Sequence, residues 1–140
     1  MQKFLIAWLW LVASLVLQYL AASFGWPGDL ALAALIAFAF AFTWFEMLPF
    51  VAASVLMLNW QPAASPAMLV IALLPLALCG LRKMVSWEPW IAVPIAAAVG
   101  AALIRWSSGA ASVTITVEDI LIMAIWSVAS YAIIAKIIHT

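Results

Sequence analysis

Between Lys3 and Arg82 the chain carries no basic residue and only two acids, Asp29 and Glu46, in an otherwise apolar background. This spacing of charge limits the possible folds more than any motif in the sequence. A soluble element needs polar side chains along one face, whereas an apolar run of about 18 or more residues with few charges reads as a transmembrane helix. Such runs cover nearly the whole chain. With 71% hydrophobic and 7% charged residues in 140, too few charges remain to solvate a soluble surface. The expected fold is all-α, a single transmembrane domain over 1–140 built as a compact bundle of about six short transmembrane helices. Spanning strands are not expected. Barrel strands alternate apolar and polar residues, and "LALAALIAFAFAF" is apolar at both parities.

The breaks between runs come from Pro, Gly, Asn and charge. "FGWPGD" (24–29) is turn-forming, with Asp29 placed to cap the following helix. "NWQPAASP" (59–66), "RKMVSWEP" (82–89) and "SSGAASVTITVED" (107–119) are the later breaks. The helices are expected at about 3–23, 29–45, 47–60, 66–83, 88–106 and 119–139. The first resembles a signal peptide in its Lys3, apolar core and small residues at 21–23, but its apolar run is long enough to span, and it is read as a retained helix. No internal repeat is evident.

Residues 29–60 pose the one topological choice. As a single helix they extend about 48 Å at 1.5 Å per residue, against a hydrocarbon core of about 30 Å. Basic residues concentrate on the cytoplasmic side. Two crossings, with Lys3 inside, also bring Arg82, Lys83 and Lys136 inside and leave Arg105 outside. One crossing scatters them. Two crossings also put Trp44 at a boundary, in line with Trp26, Trp60, Trp87, Trp90 and Trp106. A tight turn is therefore expected around residues 45–48, with Pro49 at the start of the third helix and both termini cytoplasmic. Glu46, at the middle of "FTWFEMLPF", becomes an interfacial acid rather than a buried one.

Few residues suggest chemistry. The single Cys79 excludes an internal disulfide, and His139 has no nearby Cys, His or Asp in sequence. Asp29, Glu118 and Asp119 read as helix-start acids favoured by the helix dipole, with Thr116 three residues before Asp119. No catalytic constellation, metal cluster or cofactor motif is expected, and no basic block suggests nucleic acid. In the fifth helix Ala92, Ala96 and Gly100 recur every four residues. Such a face lets helices approach closely, either within the chain, against the first or last helix, or against a partner subunit.

The first helix with "LVLQYL" toward its outer end, followed by "FGWPGDLALA", resembles the start of MreD, the rod shape-determining membrane protein. The likeness covers about Leu15 to Ala33. Gly28 departs from the family's more direct Pro-Asp step, the third helix lacks the family's glycines, and no site residues are carried over. The resemblance implies a six-helix fold, similar to that of the substrate-binding S components of energy-coupling-factor vitamin transporters. It further implies a non-enzymatic scaffold in a cell-wall elongation complex of the bacterial inner membrane, with an MreC-like partner. Two other readings stay open: a small-molecule transporter component of the S-component type, with Asp29 and the 107–119 segment lining a pocket, and an accessory subunit of a membrane energy-conversion complex.

Overall fold

The computed structural model describes residues 1–24, 29–58, 66–84, 86, 88–107 and 117–139. Among them six helices form and no strand: α1 (Gln2–Ser23), α2 (Leu30–Ala39), α3 (Trp44–Leu58), α4 (Pro66–Met84), α5 (Pro89–Ser107) and α6 (Val117–Ile138). By length and composition α1 and the Ile120–Ile138 stretch of α6 are long and apolar enough to cross a membrane; Leu30–Ala39, Trp44–Met57 and Pro89–Ile104 are shorter apolar helices.

The bundle is organised around α2. All ten of its residues are buried, and it touches each of the other five helices. A helix that is apolar all round suits a core or a membrane span; the packing puts "LALAALIAFA" in the core, where its alanines let several neighbours approach. At about 15 Å long, α2 is also the shortest helix.

The sequence of pairings gives each helix its direction. Tyr19 near the end of α1 donates its hydroxyl to the Met57 carbonyl near the end of α3. Lys3 near the start of α1 reaches Glu46 near the start of α3. Cys79 and Arg82, late in α4, bond to carbonyls at the end of α2. Trp90 at the start of α5 meets Tyr131 late in α6 edge-on, at 5.1 Å between ring centroids. The helices thus alternate in direction. Lys3, Arg82, Lys83 and Lys136 come to one end of the bundle, and Asp29, Arg105, Glu118 and Asp119 stand at the other.

The α2–α3 turn lies earlier than expected, at residues 40–43 rather than 45–48. Phe40, Ala41 and Phe42 tighten the end of α2 by donating their N–H groups to Ala37, Phe38 and Phe38 respectively. Helix α3 then begins at Trp44, because Thr43 and Glu46 form half of a capping box: the Thr43 N–H donates to Glu46 Oε2 at 2.8 Å. Pro49 consequently falls inside α3, where it leaves the Phe45 carbonyl without its helical donor.

Phe42 is pinned by an aromatic cluster that joins the first three helices. Its ring lies 5.4 to 5.8 Å from those of Phe50, Phe4 and Phe38, and Trp8 tilts against Phe50 at 4.8 Å. Each such pair contributes about 0.5–1.5 kcal/mol beyond area burial, enough to hold a turn that has no Gly or Pro of its own.

Candidate functional site

The basic end is built around the α2–α3 turn. Lys3 Nζ donates to Glu46 Oε1 at 3.2 Å and sits over the rings of Phe4 and Phe42 at 5.1 and 5.4 Å. From the opposite side Arg82 donates to the Phe42 carbonyl at 3.0 Å, and the buried Cys79 thiol donates to the Ala39 carbonyl at 3.3 Å. The last carbonyls of a helix lack intrahelical donors. Here α4 supplies one such donor, the Cys79 thiol on the last α2 carbonyl, and Arg82 binds the turn just beyond it, a cation placed near the C-terminal end of the α2 dipole. Glu46 therefore has two tasks, capping α3 and neutralising Lys3.

The other end contains Gln18, late in α1, and Asp29, just before α2. Asp29 is the N-cap residue of α2, but its side chain makes no capping bond. The cap comes from α1 instead. Gln18 Oε1 accepts the Ala31 N–H at 3.0 Å, while Gln18 Nε2 donates to Asp29 Oδ1 at 2.8 Å. The expected Asp29 cap is thus corrected to a shared one. The Gln amide can accept and donate at once, and it reaches across to an N–H group that the Asp29 carboxylate does not cap.

Midway between the ends, α1 and α6 are joined by a closed ring of hydrogen bonds. Trp10 Nε1 donates to Ser130 Oγ at 2.8 Å, and Ser130 donates to the Trp126 carbonyl at 2.7 Å. Trp126 Nε1 donates to Ser14 Oγ at 3.0 Å, and Ser14 donates to the Trp10 carbonyl at 2.9 Å. Every donor in the ring finds an acceptor in an apolar setting, where an unsatisfied group is costly. The sequence signal for this ring is a repeated pentapeptide, "WLVAS" (10–14) and "WSVAS" (126–130). It falls below the length at which a repeat of halves would show, and its meaning depends on the antiparallel pairing.

Ala92, Ala96 and Gly100 face inward and are covered within the chain. A Cβ on Gly100 would lie 3.0 Å from Leu74, 3.2 Å from Leu32 and 3.3 Å from Ile36. At Gly100 the small-residue face of α5 meets α4 and α2, while α5 as a whole packs most extensively on α6. The glycine provides the room through which α5 approaches α2.

Other candidate residues do not converge. Glu118 lies in the first turn of α6, while Thr116 and the Asp119 side chain fall outside the described residues, as does most of the 107–119 segment. His139 directly follows α6, its N–H donating to the Ala135 carbonyl. Among the described residues no group of three or more His, Cys, Asp or Glu could hold a metal. Open grooves of about 350 Å³ (Ser86, Glu88, Ile91, Ala92, Ile95) and about 420 Å³ (Pro94, Ala124, Ile125, Val128, Ala129) indent α5 and the α5–α6 seam.

Comparison with protein-family models, curated proteins and solved structures gives no match.

Proposed function

We propose that the chain is a non-enzymatic integral membrane scaffold subunit that works through lateral contacts of its outer helical faces. One observation carries this reading. The outward surface consists of large apolar side chains, among them Leu5, Leu9 and Leu20 on α1, Leu56 on α3, Leu69 and Leu73 on α4, Ile91 and Ile95 on α5, and Leu121 and Ile125 on α6. Among the described residues Lys3, Glu46, Arg82 and Lys83 lie at helix ends rather than along this surface. Soluble monomers rarely expose contiguous apolar patches larger than about a few hundred Å², whereas lipid solvates such a surface without penalty. Inside, the buried polar side chains among the described residues are Ser14, Ser54, Ser127 and Ser130. Ser14, Ser127 and Ser130 donate back to carbonyls of their own helices, as small hydroxyls held in a lipid-embedded bundle do, while the buried Ser54 hydroxyl finds no partner among the described residues.

The clustering of Lys3, Arg82, Lys83 and Lys136 supports an orientation with that end and both termini in the cytoplasm. The cell-shape role follows the MreD resemblance, and an MreC-like single-pass protein is the proposed partner. The transporter alternative has less support, because Gln18 and Asp29, two of the polar groups at the outer end, are engaged with one another and with the start of α2.

Two measurements test the reading. The chain should resist alkaline carbonate extraction from membranes, and purification in mild detergent should retain a single-pass partner with a large extracytoplasmic domain. A co-purifying ATPase or a bound vitamin-sized molecule would replace the scaffold with transport. For orientation, single cysteines at positions 46 and 83 in a Cys79→Ala background should label from the cytoplasmic side and one at 118 from the opposite side. Labelling of 46 and 83 from different sides would defeat the topology.

A further inference from the structure

The polar residues that bound the helices stand close together along the bundle axis. On α1, Lys3 and Gln18 are 15 residues apart; on α5, Glu88 and Arg105 are 17 apart, as are Asp119 and Lys136 on α6. At 1.5 Å per residue these intervals are about 22 Å on α1 and about 26 Å on α5 and α6. The whole of α3, 15 residues, is again about 22 Å long. A typical hydrocarbon core is about 30 Å.

Long basic side chains usually relieve such a shortfall by extending toward water. Here the chain has restricted that route. Lys3 is held by Glu46 and by two rings, and Arg82 is held at the Phe42 carbonyl. At the other end Asp29 is held at the level of Gln18. These bonds fix polar groups at both ends of α1 and α2. Beyond Gln18, α1 continues for little more than a turn and presents Tyr19, whose hydroxyl is bonded to Met57. Tyrosine suits the headgroup region better than the acyl chains.

Resting on the membrane reading, we propose that the bundle is matched to a thin bilayer, with a hydrocarbon core of about 22–26 Å, and gathers short-chain lipid around itself. A protein shorter than its bilayer thins the membrane or associates with its own kind to reduce the mismatched perimeter. Lipid chain length thus becomes the variable that sets both the stability and the lateral association of this chain.

The test uses the full chain reconstituted into phosphatidylcholine vesicles with dimyristoleoyl, dioleoyl or dierucoyl chains. Three properties are read: flotation with the vesicles, the thermal midpoint from tryptophan fluorescence, and energy transfer between separately labelled copies. The midpoint should be highest and energy transfer lowest in dimyristoleoyl vesicles. The midpoint should then fall, and transfer rise several-fold, through dioleoyl to dierucoyl. In mixed vesicles, brominated dimyristoleoyl lipid should quench tryptophan more strongly than brominated dierucoyl lipid at equal mole fraction. A midpoint that peaks in dioleoyl or dierucoyl vesicles, or a flat profile with equal quenching, would overturn the proposal and leave the membrane reading standing. Failure to float with any of the vesicles would remove both.

Discussion

Trp10 and Trp126 stack with ring centroids 5.1 Å apart and planes 13° from parallel, and each indole donates to the serine four residues after the other. The arrangement is reciprocal, so α1 and α6 bind one another through the same chemistry read in opposite directions. A single substitution leaves a buried donor unpaired, whereas removal of both partners of one bond does not. Ser130→Ala should destabilise the bundle by about 1–3 kcal/mol, and adding Trp10→Phe should cost less than the two single changes together. Unfolding by SDS titration in mixed micelles provides the cycle; strictly additive losses would show that the ring is not a coupled unit.

Glu46 separates capping from charge. Glu46→Gln keeps an acceptor for the Thr43 N–H and loses the Lys3 ion pair, a change expected to cost under about 1 kcal/mol and to disappear at high salt. Glu46→Ala loses the cap as well, for a total of about 1–2 kcal/mol of which salt erases only the ion-pair part. Equal losses for the two variants in thermal unfolding would mean that the cap contributes nothing.

Gln18 is the shared cap of α2. Gln18→Leu fits the apolar helix but strips the Ala31 N–H and the Asp29 carboxylate of a partner, and should cost about 1–3 kcal/mol. Gln18→Glu should cost at least as much near neutral pH, since it sets a second carboxylate against Asp29. If acidification restored the Gln18→Glu variant, repulsion would be identified as the cause. Insensitivity to pH would point elsewhere.

The two described glycines respond oppositely to added bulk. Around Gly80 nothing lies within 4 Å of the position that an added methyl group would take, so Gly80→Ala should stabilise α4 by about 0.5–1 kcal/mol. At Gly100 the surrounding Leu74, Leu32 and Ile36 leave no room for a large side chain, and Gly100→Leu should cost about 1–3 kcal/mol through overpacking. Thermal midpoints in one detergent decide the matter; a neutral Gly100→Leu would mean that α5 stands further from α2 than the structure has it.

Element type is legible because apolar run length and Pro/Gly punctuation are local properties, and the alternation of direction follows from where Lys3, Arg82, Lys83 and Lys136 fall. The α2–α3 boundary is not where the sequence pattern suggests. Pro49 reads as a helix start, although Thr43-x-x-Glu46 is a stronger start signal lying a few residues earlier. The centrality of α2 is visible only in part. Its uniform apolarity suits a lipid-exposed helix and an enclosed one equally, and only the packing of the five others distinguishes them. Likewise Ala92, Ala96 and Gly100 declare a close approach without naming the neighbour, and Gln18 and Asp29, eleven residues apart across a turn, need the fold to become one cap.

The enclosure of α2 also bears on how the chain is made. A ribosome releases α2 early, yet two of the helices that cover it, α5 and α6, are synthesised last. On the proposed membrane reading, the nascent protein until then holds a ten-residue helix beside neighbours that do not yet close around it. Biogenesis must therefore keep α2 waiting, and a chain that stops before α6 is left as an open shell rather than a smaller bundle.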